Sequence, residues 1–221
     1  LPAPALADRC PPVAYCRFMT ARDLLSGHAS TIAPALLGSI ITSDVDGHQV
    51  SIRLTEVEAY GGEGEDPGSH AYRRMSPRNA TMFGPAGRAY VYFTYGMHWC
   101  LCVVTGPTGT ASAVLLRAGE VIEGLDAARS RRLTAATDRD LARGPARLTT
   151  ALGVTGEMDG VDLLSPASSV RLSIGRTEGA DYGVSARTGV GGEGAGTPWR
   201  FYLRDDPTVS PYRPAAPRRR T

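Results

Sequence analysis

The chain contains no lysine: all 24 of its basic residues are arginine. Any mechanism that needs a lysine amine, as a Schiff-base former or as a base, is therefore excluded. Long apolar runs are missing too, so no helix is expected to cross a bilayer and no membrane partner is expected. No signal-peptide pattern opens the chain, which begins at Leu1 rather than at a methionine. No repeat period recurs. Cysteine is scarce. Cys10 and Cys16 lie in a Pro- and Ala-rich opening, while Cys100 and Cys102 stand two apart in an apolar β-like run and share one face. That geometry disfavours a mutual disulfide. His98 shares the face, but zinc ligands normally come from turns with wider spacing, so no metal is expected. Buried, inert thiols fit a reducing compartment, and a cytoplasmic location is expected.

What is present is ordinary in bulk. A net charge of +2 argues for no particular partner, and 42% apolar with 21% charged residues is the balance of a globular protein. At 221 residues, one domain is expected: a loose arm over 1–19, a folded unit over 20–210, and a disordered basic tail over 211–221. Thr20 is a candidate N-cap for a helix over Ala21–Leu25, and Pro34 fits the first turn of a second short helix over Ala35–Gly38. Ile40-Ile41 begins a strand, and Asp46-Gly47 is a hairpin signal. Gln49–Glu58 alternates as a strand, with Glu56 and Glu58 following Val50, Ile52 and Leu54 in the same register. Two acids on an apolar face are costly unless paired or turned to a cleft. Gly61–Gly68 reads as a mobile acidic loop, and the Ser-Pro in Arg73–Asn79 makes that stretch a turn. Arg88–Phe93 and Met97–Thr105 form a hairpin with Tyr95 at its tip, where a core aromatic does not belong. Residues 111–117 form a strand ending in Arg117. Helices are expected over Gly119–Leu133 and Pro145–Leu152, and strands over Val161–Leu164, Val170–Ile174 and Trp199–Arg204. Gly189-Val190-Gly191-Gly192-Glu193-Gly194 matches a dinucleotide fingerprint but precedes Ala-Gly-Thr-Pro rather than a helix. Without strand-turn-helix context it reads as a loop, which leaves a nucleotide-dependent oxidoreductase with little support.

The chemistry concentrates between Leu54 and Glu120, where five of the nine tyrosines fall between positions 60 and 95. Glu58 and Arg117 are either a partly buried ion pair or a base kept ionised and aimed by a guanidinium. Tyr60, His70 and Tyr92 are either sheet aromatics or the walls of a pocket for a flat ring. Tyr95 suits a wedge that fills the gap left by an extruded nucleotide. Arg73, Arg74, Arg78, Arg143 and Arg147, with the backbone of Gly144-Pro145 at a helix start, are candidates for phosphates.

These residues sit in TEVEAY (55–60), SPRN (76–79), MFGPAG (82–87), YVYFTYGM (90–97), VLLRAGE (114–120), RGPARL (143–148) and RFYLR (200–204). In that order, with His70, they closely resemble the alkyladenine (3-methyladenine) DNA glycosylase family. The resemblance runs from about position 20 to 210. It implies a mixed α/β (α+β) domain around a curved antiparallel β-sheet, with a protruding β-hairpin and surrounding helices. It implies action on damaged bases in double-stranded DNA, with no cofactor, and a monomer is the default expectation. Glu58 would be the general base for the attacking water, which Arg117 and the backbone carbonyl of Thr188 would help to hold. Tyr60, His70 and Tyr92 would sandwich the flipped base, with Cys102 beside it. Tyr95 and Met97 would enter the minor groove, and Arg74, Ser76, Arg78, Gly144 and Arg147 would lie along the DNA backbone. Cys102 is a departure, because the family commonly carries an asparagine there to screen out guanine. The alternative is a non-catalytic module that binds damaged DNA.

Overall fold

The computed structural model describes residues 20–175 and 181–216. The expected arm over 1–19 with Cys10 and Cys16, and the tail arginines Arg218–Arg220, lie outside the described residues. Thr20 caps α1 (Ala21–Leu25) as its residue type predicts, and its hydroxyl and Asp23 form a reciprocal capping box. The next helix comes earlier than expected. α2 (Ala29–Ile32) is capped by the His28 ring, and Pro34 opens the 3-10 turn Ala33–Leu36 rather than a helix over Ala35–Gly38. Gly38 ends the turn with φ 77°.

The mixed α/β architecture is an open, eight-stranded antiparallel sheet with short helices packed on it. Its strands are β1 (Ile40–Val45), β2 (His48–Tyr60), β3 (Ala89–Thr94), β4 (His98–Val104), β5 (Ala113–Glu123), β6 (Val170–Ser173), β7 (Tyr182–Ser185) and β8 (Arg200–Leu203). The order is β3-β4-β5-β2-β1-β6, and β8 joins β2 beyond β1 and carries β7. Asp46-Gly47 turns β1 into β2 with both residues at positive φ, as the hairpin signal predicts. Tyr95 (φ 51°) and Gly96 (φ 67°) do the same for β3 and β4.

Strand β5 corrects two expectations. It runs on to Glu123, so Arg117 stands in mid-strand, and the helix expected over Gly119–Leu133 shrinks to α3 (Leu125–Arg131). Glu120, Val121 and Glu123 pair with β2 instead, and Gly119 packs so close to Arg53 and Ile52 that a side chain there would collide. The strand expected over Val161–Leu164 is a single bridge from Asp162 to Arg88, because the Asp162 carboxylate serves Arg22 and the Leu164 N–H in a loop. β7 carries no alternation strong enough to have been predicted. α4 (Pro145–Leu152) begins at Gly144 as expected and buries Leu148, Ala151 and Leu152 against the core.

Candidate active site

The sheet has two faces of different chemistry. Val91, Leu101, Val103, Val114, Leu116, Val57 and Ala59 build the main core, and their sequence neighbours point the other way. On that other face, cross-strand pairing sets Tyr90, Cys102, Leu115, Glu58 and Arg200 side by side across five strands.

The expected register of Glu56 and Glu58 with Val50, Ile52 and Leu54 does not hold. The β2–β5 pairing shifts between Leu54 and Glu56, where Thr55 has no partner, and again between Glu56 and Val57, where Arg117 has none. A β-bulge inverts the alternation and bends the strand. Val57 and Ala59 therefore enter the core, and both glutamates share the opposite face with Arg117.

That face floors a cavity of about 500 Å³, within the roughly 300–1,000 Å³ of small-molecule sites. Tyr60, His70, Tyr92, Cys102, Tyr95, Arg117 and Thr188 all line it, so the structure brings these predicted residues together. The His70 ring meets Tyr92 edge to face at 4.7 Å, and Tyr92 stacks on Tyr90 at 5.3 Å. His70 Nδ1 is 3.1 Å from the Tyr90 hydroxyl. Burial, then the charge of Arg78, lowers the His70 pKa, so the ring is neutral near pH 7. Cys100 and Cys102 are buried thiols, and burial raises both pKa values. His98 is exposed at the hairpin end, and no group of three or more potential metal ligands gathers among the described residues.

Glu58 lies directly behind the cavity wall and is fully buried. Its Oε1 accepts from the Thr188 N–H at 2.7 Å and its Oε2 from the Tyr60 hydroxyl at 2.9 Å. Arg117 Nη1 stands 3.4 Å from Oε1. Burial pushes the carboxyl above its ordinary value of 4.5, and Arg117, the Thr188 N–H and the Tyr60 hydroxyl only partly oppose this. At Thr188 it is the amide N–H that meets Glu58. Arg117 is closer to Glu56, at 2.8 Å, than to Glu58.

Pattern reading missed a second buried pair. The Gly61–Gly68 loop, expected to be mobile, is pinned by Asp66, whose carboxylate meets Arg187 at 2.6 Å through both oxygens and accepts from the N–H groups of Gly61 and Gly68. Arg187 also donates to the Ala59 carbonyl and lies 4.6 Å behind the Tyr60 ring. The signal was an acid in a glycine-rich loop, which on sequence alone reads as solvated. The fingerprint-like stretch 189–194 contains a 3-10 turn over Gly192–Gly194, and Gly189 to Gly191 line the cavity.

Around the mouth, Tyr95 is 82% exposed and Met97 67%, so the hairpin tip is the apolar projection its pattern predicts. Asn79 is buried and staples the basic turn. Its side chain donates to the carbonyls of His70 and Arg74 and accepts from the Ser76 N–H. Arg78 reaches the Phe93 carbonyl, tying this turn to the hairpin. Arg73, Arg74, Arg78 and Arg147 are exposed, and Pro145 and Ala146 bring the start of α4, after Gly144, to the cavity rim. Arg143, grouped with them on sequence, instead donates to the Val209 carbonyl.

An open antiparallel sheet carrying a cavity walled by aromatic rings, with a buried acid behind it, is the arrangement of an enzyme or a binding protein for a small ligand. Comparison with known proteins narrows the choice. The profile described as methylpurine-DNA glycosylase (MPG) matches residues 23–207, and the chain belongs to that family. Among similar proteins, one from Streptomyces avermitilis is 50% identical over 201 residues, covering 90% of this chain and 94% of the relative. One from Nocardia farcinica is 52% identical over 194 residues, covering 85% and 89%. Both carry the name "Putative 3-methyladenine DNA glycosylase".

Proposed function

We propose that the protein is a monofunctional DNA glycosylase of base excision repair that removes alkylated purines, 3-methyladenine and 7-methylguanine first, from duplex DNA. The observation that carries this reading is that three cavity-wall groups, Tyr60, Arg117 and Thr188, all engage one buried carboxylate. A flipped purine fits between Tyr92, His70 and Tyr60. Alkylation makes the purine a good leaving group, so the protein must chiefly present C1′ to water and stabilise the oxocarbenium-like charge. Entry of the nucleotide draws the Tyr60 hydroxyl from Glu58 Oε2. A water takes its place and gives its proton to the carboxylate as its oxygen bonds to C1′ and the glycosidic bond breaks. With no lysine to attack the sugar, the product is an intact abasic site. Arg74, Ser76, Arg78, Gly144 and Arg147 hold the DNA backbone, and Tyr95 with Met97 occupies the gap.

The test is base release from duplexes carrying single lesions, followed by heat or alkali. Strand cleavage only after that treatment is the expected result. Binding without base release would replace the enzyme with a damaged-DNA-binding module, and cleavage without treatment would remove the monofunctional reading.

Two further outcomes follow from the site. Removing the exposed ring in Tyr95→Ala loses one base-stacking contact, worth about 1–3 kcal/mol or roughly 5- to 150-fold. The loss should appear in excision from duplex and be much smaller on single strands, where no stack has to be opened. Equal losses on both would deny the wedge. Cys102 offers a thiol where an amide would crowd guanine's exocyclic amino group. Cys102→Asn is expected to lower excision of 7-methylguanine relative to hypoxanthine by about tenfold. Identical lesion profiles would remove the idea.

A further inference from the structure

Arg117 has a more intimate partner than the acid it faces across the cavity wall. Glu56 is fully buried. Its Oε1 accepts from Arg117 Nε at 2.8 Å and from Arg200 Nε at 2.6 Å, and its Oε2 accepts from the Ser210 N–H at 2.8 Å. Ser210 closes the ring. Its hydroxyl receives Arg117 Nη2 at 3.3 Å and its carbonyl receives Arg200 Nη2 at 2.9 Å. Arg117 is thus tied at Nε and Nη2, which leaves Nη1 to face Glu58.

Ser210 belongs to an irregular strap that follows β8. Asp206 pairs with Arg53 at 2.8 Å, Thr208 bonds Thr55 at the first bulge, and Val209 accepts from Arg143. The Arg213 carbonyl accepts from the Gly189 N–H in the cavity wall. The family match ends at residue 207, so Thr208 to Arg213 lie beyond it.

We infer that Glu56, latched by Ser210 of this strap, is the positioning residue that holds Arg117 beside Glu58 while keeping it from closing on that acid. The inference rests on Glu58 being the base. Were Glu56 neutral, the forked guanidinium would turn to the nearest remaining carboxylate and make a two-point pair with it, since that geometry is the preferred one. Such a pair would cover the lone pairs that the attacking water needs. Two buried acids against two buried arginines, with the strap taking a donor from each arginine, keep the pairing divided.

The experiment is single-turnover excision from a duplex containing 7-methylguanine, measured against pH, with duplex affinity and thermal midpoint taken in parallel. Glu56→Gln is expected to lose about 10- to 100-fold in rate, as a misaimed group does, with duplex affinity unchanged. Its acid limb should move to lower pH. Glu58 then loses a like-charged neighbour and gains Arg117 more fully, while Tyr60, Arg187, Arg200, Cys100 and Cys102 around it stay as they are. Ser210→Ala removes only the hydroxyl that receives Arg117, leaves the strap's backbone bonds, and should lose roughly fivefold in rate with affinity held and the midpoint lowered only slightly. That variant decides alone if Glu56→Gln does not fold. A wild-type rate and pH profile in the folded variants overturns the inference, as does a rate loss matched by equal losses of affinity and midpoint. Glu58→Gln serves as the reference. If it is inactive while Glu56→Gln behaves as wild type, only this inference falls; if it is fully active, the base assignment falls and takes the inference with it.

Discussion

Glu58→Gln should abolish base release almost completely, by about 10²- to 10⁴-fold, while lesion-containing duplex binds as tightly as before. An amide matches the acid in size and still accepts from the Thr188 N–H, so the cavity survives. What it cannot do is take a proton from water or face developing positive charge with a full negative one. The pH dependence of the wild type provides the companion measurement. Burial raises the Glu58 carboxyl above 4.5, and the base works only when ionised. Excision should therefore fall on acidification with a midpoint above 4.5. Single-turnover rates across pH check both statements. Retained activity in the amide variant, or a flat acid limb, would mean that another group activates the water.

The second large effect concerns stability. Asp66 and Arg187 are both fully shielded from solvent. Asp66→Ala leaves a guanidinium buried without its partner, which costs about 3–5 kcal/mol. Against a typical total of about 5–15 kcal/mol this is severe. Urea unfolding should show a lower midpoint with an unchanged slope, because the core is untouched. Acid sensitivity should change as well. Burial works to raise the Asp66 carboxyl, but Arg187 and the Gly61 and Gly68 N–H groups outweigh it and hold the folded value below 3.8. A depressed carboxyl contributes stability that is present above the unfolded value and is lost as pH falls through the folded one. The wild type should therefore shed part of its stability below about pH 3.8, and the variant should lack that component. A loss of unfolding free energy under about 1 kcal/mol would show the pair to be dispensable.

Much of this was legible in the chain because local chemistry governed it. Thr20 and Asp23 declare a capped helix, Asp46-Gly47 and Tyr95-Gly96 declare tight turns, and alternation separates Tyr90 and Tyr92 from Val91. The candidate residues were readable largely through the resemblance, since no spacing rule joins Glu58 to Arg117 or Thr188. What stayed hidden depended on contacts distant in sequence. The bulges in β2 arise from pairing with β5, so alternation put the glutamates on the wrong side. Glu120 looked helical until β2 claimed it. Asp66 and Arg187 are 121 positions apart, and only the fold makes them neighbours.

The paired irregularities in β2 and β5 have a consequence for how this chain can vary. They act as a phase changer, with hydrophobic parity on one side of Thr55 and its inverse on the other. Pairing this same sequence without the bulge would give an unbroken zigzag and tidy hydrogen bonding, yet it would turn Val57 toward the cavity and both acids into the core. Along this stretch, how many residues stand between two pairings decides which chemistry faces the cavity as much as their type does.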